Sequence, residues 1–195
     1  MYFWNFKALV YKWFRNIFPL SYFLRQENKN IQELLTRIPL KVLEERKVVD
    51  IGTGMGNALQ LVSKGPSIFG LDKSLKMLYY AAKKTKGKFV AGDALYLPFK
   101  NKSFYLLMAV GIFEYQKNGI NFLQELFRIT EEKGWVIITT SPRTLLTFIR
   151  QALGNRIYPI ESNEFQDMIQ RIGFKMKDKR KTMLQNQYLL LKEHS

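Results

Sequence analysis

From Val48 onward the chain alternates short β-branched or aromatic runs with longer helical patterns, and this rhythm restricts the fold more than any other feature. KVVDI (47–51), SIFGLD (67–72), KFVAGD (88–93), SFYLLMAV (103–110) and WVIITT (135–140) read as strands. Helices are expected between them at about 57–64, 74–86 and 118–131. Strand and helix in steady alternation specify a parallel sheet covered by helices on both faces. The strands are apolar almost throughout, as strands buried on both sides are. Beyond a helix at about 162–172, closed by Gly173, FKMKDKR and LQNQYLLLK stand only residues 181–183 apart. That spacing suits a hairpin, so an antiparallel strand is expected to close a mostly parallel, doubly wound sheet of seven strands. A helical extension precedes it, with Asn30 and Glu33 in a capping-box pattern opening a helix that Pro39 bends or restarts.

The first strand runs into a glycine loop, VVDIGTGMGN (48–57). Gly52, Gly54 and Gly56 allow a tight turn and close approach of backbone to a ligand. The spacing is not the Gly-x-Gly-x-x-Gly of dinucleotide sites, since Asn57 stands where the third glycine would fall, and no lysine follows as a phosphate loop requires. Asn57 reads instead as a helix N-cap, with Gln60 completing the box. Asp50 at the mouth of the loop would repel a pyrophosphate. It suits a cationic ligand such as S-adenosylmethionine (SAM), which carries a sulfonium and an α-ammonium.

Two further acids end the next two strands. Asp72 lies 22 residues after Asp50, a spacing right for a carboxylate on ribose hydroxyls, and Asp93 comes 21 residues later. Three carboxylates at the carboxyl ends of successive parallel strands share the crevice where open α/β sheets bind ligands.

These motifs resemble those of class I SAM-dependent methyltransferases over residues 45 to about 193, nearest to the quinone, small-molecule and lipid branch. VVDIGTGMGN resembles the first motif and FGLDKSLKML the second, while KFVAGDALYLPFKNKSF resembles the adenine-contacting motif and the stretch immediately after it. EEKGWVIITTSP is similar to the turn and fifth strand, and EFQDMIQRIGFKM to the last helix and strand. The resemblance implies a Rossmann-like fold, SAM as cofactor, and a cofactor site at Asp50, Ile51, Gly52, Thr53, Gly54, Gly56, Asp72, Lys73, Met77, Asp93, Ala94 and Val110. The chain departs from the family at Tyr105, where an aspartate is frequent, and at Trp135, where a second glycine is common. Glu114-Tyr115 replaces a frequent His-His or Glu-His pair.

Methyl transfer from a sulfonium needs a base only where the acceptor must lose a proton. Glu114, just past the fourth strand, is the candidate for that role. Tyr115 is a weaker candidate, and His194, the only histidine, sits at the tail. Cysteine is absent, which excludes disulfides, thiolate zinc sites and a cysteine nucleophile, and is compatible with a reducing cytoplasm. No metal-ligand spacing occurs.

The net charge of +15 is spread evenly, about five units in each of residues 1–47, 48–141 and 142–195, and favours an anionic partner. Residues 1–24 hold ten of the 28 aromatics. On a helical wheel Phe3, Phe6, Val10, Trp13, Phe14 and Ile17 share a face opposite Asn5, Lys12, Arg15 and Asn16. Such a segment lies in a membrane interface or packs as a lid over the site, and no stretch reads as a signal peptide or a membrane span. The expected division is residues 1–46 as amphipathic helices and 47–195 as the SAM-binding domain, with an insertion at about 141–161. The expected protein is a cytoplasmic SAM-dependent methyltransferase, peripheral on the inner membrane face, acting on a small-molecule or lipid- or quinone-like acceptor. The alternatives are methylation of RNA at ribose or guanine, against which no Asn/Asp-Pro-Pro-aromatic motif follows the fourth strand, and a SAM-binding module without catalysis.

Overall fold

A computed structural model describes residues 20–39, 45–62, 67–152 and 156–193. The aromatic face of residues 3–17 and His194 lie outside them. Seven strands form one sheet: β1 (Lys47–Ile51), β2 (Ser67–Asp72), β3 (Lys88–Ala91), β4 (Phe104–Ala109), β5 (Thr130–Thr140), β6 (Phe174–Lys181) and β7 (Asn186–Lys192). Their order is β3-β2-β1-β4-β5-β7-β6, parallel from β3 to β5, with β7 antiparallel to both its neighbours. This is the expected mostly parallel, doubly wound sheet of seven strands with an antiparallel strand in its C-terminal part. All six residues of β4, at the centre, are buried.

Alternate residues of the strands feed two cores, as the two-residue period of a strand demands. Val49, Ile51, Leu107, Ala109, Val136 and Ile138 face helices α3 (Gly119–Ile129) and α5 (Ser162–Ile172) through Phe122, Leu126 and Phe165. Val48, Leu106, Met108, Ile137 and Leu189 face α1 (Leu20–Leu35) through Ile31, Leu34 and the following Ile38. Between these, α2 (Leu75–Lys84) packs on β2 and β3, and α4 (Leu145–Ala152) follows β5. Ile31, Leu34, Leu35 and Ile38 thus belong to the core of the domain.

Several sequence expectations are corrected. Asn30 does not open a helix: it lies within α1, where its Oδ1 accepts a bond from Gln26 Nε2 (3.0 Å), and Pro39 stands beyond the helix end. Asn57 is no N-cap either. Residues 54–58 are turns leading to a single 3-10 turn at Leu59–Leu61, and Asn57 Oδ1 takes the Lys84 ammonium at 2.9 Å. The positive φ angles of Gly54 and Gly56 spend those residues on turning, which delays helix formation. α3 stops at Ile129 rather than 131, because Thr130 already pairs with Phe104 and β5 is longer than expected. The buried Lys192 fixes that boundary by donating to the carbonyls of Phe127 (3.1 Å) and Thr130 (3.0 Å), a cation at a helix C-terminus. β3 ends at Ala91, so Asp93 stands beyond the strand in a bridge with Tyr96.

Because α1 closes one face of the sheet, Leu34→Ala should remove about 2–5 kcal/mol of stability, read as a lower urea midpoint with unchanged slope. An unchanged midpoint would mean that α1 is not docked.

Candidate active site at the carboxyl ends of the strands

The parallel strands all end on one side, and the glycine loop follows the first. Gly52, Gly54 and Gly56 take φ of 73°, 52° and 74°, the left-handed region that glycine alone enters without strain. The loop is tied to the end of β2. Gly52 N and Thr53 N donate to Leu71 O (2.7 and 2.9 Å), and Gly54 N donates to Asp72 Oδ2 (2.9 Å). Asp72 Oδ1 accepts from Ser74 N (2.8 Å), while Ser74 caps α2 by accepting from Met77 N (3.3 Å). Burial pushes the Asp72 carboxyl above its usual range, opposed by the bonds from Ser74, Gly54 and Lys73.

Asp50 is 1% exposed, and its Oδ1 has no hydrogen-bond partner. Burial pushes its pKa up to about 7; the Thr53 hydroxyl opposes this and the Asp72 charge adds to it. A buried carboxylate without full pairing costs stability, so its presence at the loop needs an explanation. Asp93 is different. Burial acts to raise its pKa, but the Leu95 N–H on Oδ1 (2.9 Å) and the Lys73 ammonium on Oδ2 (2.9 Å) outweigh it, and the net shift is downward.

The predicted site residues fall into two groups. Asp50, Thr53, the glycines, Asp72, Lys73 and Asp93 are brought together at the mouth of the crevice. Ile51 and Ala94 instead turn their side chains into the core, which leaves only their backbone for a ligand. Met77 packs against Met55 beneath the loop, and Val110 packs against the α1-side core. Glu114 is 2% exposed in a 3-10 turn after β4; Ser141 Oγ, just past β5, donates to its Oε1 (3.4 Å) and Tyr158 N to its carbonyl (2.6 Å).

Gly111 and Ile112 are not marked by any sequence pattern. Gly111 has φ 70° and faces open space, a side chain there meeting nothing within 4 Å, and its N–H donates to Thr139 Oγ1 (2.8 Å). Ile112 closes over Gly52, where an added Cβ would come within 2.4 Å of it. Two clefts of ≈ 350 and ≈ 470 Å³ lie elsewhere, beside Trp135 and beside Phe127. In the second, Arg128 is already committed to Glu125, Asn101 and the carbonyls of Leu97 and Phe99. Among the described residues no group of three His, Cys, Asp or Glu is placed to hold a metal ion.

This strand order, with a glycine turn after β1 and acids after β2 and β3, defines a cofactor-binding methyltransferase fold. Residues 49–138 match the family described as "Methyltransferase domain". It is 35% identical over 114 residues to a demethylmenaquinone methyltransferase of Thermotoga maritima, covering 56% of this chain and 48% of that protein. It is 29% identical over 117 residues to a malonyl-[acyl-carrier protein] O-methyltransferase of Marinomonas sp., covering 56% and 43%. The chain thus spans less than half the length of these curated relatives. In fold it is similar to the magnesium protoporphyrin IX methyltransferase of Synechocystis PCC 6803, solved with bound SAH (TM-score 0.74, 17% identity, 91% of this chain and 88% of that one).

The residues present fit SAM. The orphaned Oδ1 of Asp50 offers an anion to a cation, and a Cβ at Gly54 would meet nothing nearer than 3.9 Å, so the loop leaves room for a ligand against its backbone. Each oxygen of Asp72 keeps a lone pair for a hydroxyl donor after accepting its backbone bond.

Asp50 also sets a pH dependence. Its folded pKa of about 7 lies above the ordinary value of 3.8, so the native state holds a proton that the unfolded chain has lost. Its contribution to stability is complete below the lower value and is lost as pH rises toward 7. Relative to Asp50→Asn, the ligand-free protein should lose about 1.4 kcal/mol per pH unit across that window and level off above it. Parallel stability curves for the two proteins would contradict the assigned burial.

Proposed function

We propose that the protein transfers a methyl group from SAM to a small-molecule acceptor of lipid- or quinone-like character. The observation that carries the cofactor half is the buried, partnerless oxygen of Asp50 beside an open glycine turn. The acceptor class is supported by the matched relatives, a demethylmenaquinone and a malonyl-[acyl-carrier protein] methyltransferase, and by the aromatic start of the chain.

When bound, the cofactor supplies a methyl group already activated on a sulfonium. The chain's task is then largely to orient and enclose. Asp50, ionised by a neighbouring cation, holds the amino-acid end, and the backbone of Gly52–Gly54 lies along it. Asp72 takes the ribose hydroxyls without giving up its hold on Gly54. Asp93, kept ionised by Lys73 and Leu95, is an acceptor for the adenine amino group. Glu114 is the residue placed to take a proton from an acceptor that must lose one. Residues 1–19, as a lid or a membrane contact, would enclose the acceptor.

Asp50→Asn should weaken SAH binding about 10–100-fold, the range for losing a charged hydrogen bond, with the fold retained; equal affinity in a calorimetric titration would count against the cationic-ligand reading. Glu114→Gln should lower kcat while SAH affinity stays unchanged, and an unaltered kcat would remove Glu114 from the chemistry. The acceptor is tested by incubating the protein and methyl-labelled SAM with a cell extract and partitioning the products. Label in the organic phase supports the reading, and label in RNA would replace it.

A further inference from the structure

Exposed large hydrophobic residues are concentrated at one end of the molecule. Tyr96 (80% exposed), Leu145 (76%), Leu75 (64%), Met183 (57%), Phe148 (56%) and Tyr158 (40%) all lie on segments at the carboxyl ends of the parallel strands. Leu75 opens α2 after β2, and Tyr96 follows β3. Leu145 and Phe148 stand three residues apart on one side of α4, after β5. Tyr158 is held to the Glu114 carbonyl beyond β4. Met183 is in the β6–β7 turn, which reaches the same end because Asn186 pairs with Thr140, the last residue of β5. Scattered single apolar side chains are normal on a surface, but six around the mouth of one crevice form a rim.

Cations stand among them. Lys73, Lys117, Arg143, Arg156 and Lys181 are exposed at this end. Besides Asp50, Asp72 and Glu114 within the crevice, the acids there are Asp93, Glu161 and Glu164, and of these Asp93 and Glu164 are already paired with Lys73 and Arg143. α1 also begins here: Gln187, near the top of β7, donates to Glu27 O (3.2 Å), and Arg37, ten residues on, meets Asp178 further down the sheet.

We infer that this rim is a contact face for an anionic lipid surface, which sets the mouth of the crevice against the membrane. Apolar side chains interleaved with lysine and arginine match the acyl boundary and the charged headgroups of such a surface. No described helix is long and apolar enough to cross a membrane. The inference takes the position of the crevice from the proposed function, but its test does not require methyl transfer.

The full chain is sedimented with vesicles of equal parts phosphatidylglycerol and phosphatidylcholine, and with phosphatidylcholine alone. The expected result is binding to the anionic vesicles at least about fivefold stronger than to the neutral ones, weakened by salt. The double substitution Leu145→Glu, Phe148→Glu should reduce it about tenfold or more, while Lys86→Glu, the same change in charge at the opposite end, should leave it within about twofold. SAH titration of each variant reads the fold and the cofactor site separately. Two results overturn the inference. One is no binding to anionic vesicles, including the case in which the double variant instead dissociates a dimer. The other is vesicle binding that the double variant leaves intact. A wild-type chain that sediments with lipid but binds no SAH supports this face and sinks the proposed function alone.

Discussion

Four backbone donors hold the site together. Gly52, Thr53 and Gly54 donate to the end of β2, the last of them to the Asp72 carboxylate, whose other oxygen takes Ser74 at the start of α2. One carboxylate thus fixes a loop that only glycine can form against a helix whose cap it also orients. The dimensions of the crevice depend on this joint: β1 sits beside β2 in parallel register, and the loop turns back over the strand end instead of running on as a helix. Asp72 has a structural role in its own right, and the proposed role toward a ligand is compatible with it because each oxygen has capacity to spare.

Asp50 is the opposite case. Nothing in the described fold requires a carboxyl group there, and its burial raises its pKa to about 7 at a cost to the native state near neutral pH. An apolar or amide side chain would pack with less loss. A destabilising polar group beside an open turn is what a site for a cation looks like before the cation arrives, since stability is exchanged there for a preorganised charge. The same site holds Asp93 already neutralised by Lys73. Two acids, one on β1 and one just beyond β3, are therefore tuned in opposite directions, one toward waiting for a positive partner and the other toward remaining a fixed acceptor.

The sequence showed the sheet well because parallel strands are apolar on both faces, and the first three ended at a recognisable acid or glycine. The antiparallel closure was legible from the short gap before β7. Local patterns misjudged the places where tertiary contacts decide. Asn57 has the residue type of a helix cap, yet Lys84 and the glycine turns claim it. The end of α3 depends on Lys192, 62 residues beyond Thr130 in sequence, and no local signal carries that contact. The position of Asp50, Asp72 and Asp93 at one end of the sheet was legible by spacing. Gly111 was not, because its role rests on the open space beside it and on Thr139 from the next strand. The apolar rim was equally invisible, since its members come from separate segments that only the topology gathers at one end.

If Asp50 is held for a cation, ligand binding must be linked to its proton. SAH keeps the α-ammonium, so its binding should ionise Asp50 and release a fraction of a proton near pH 7, falling toward zero at higher pH. Calorimetric titration in buffers of different ionisation enthalpy measures that release, and Asp50→Asn should abolish it. Tight binding with no proton released, or with a proton taken up, would contradict the account.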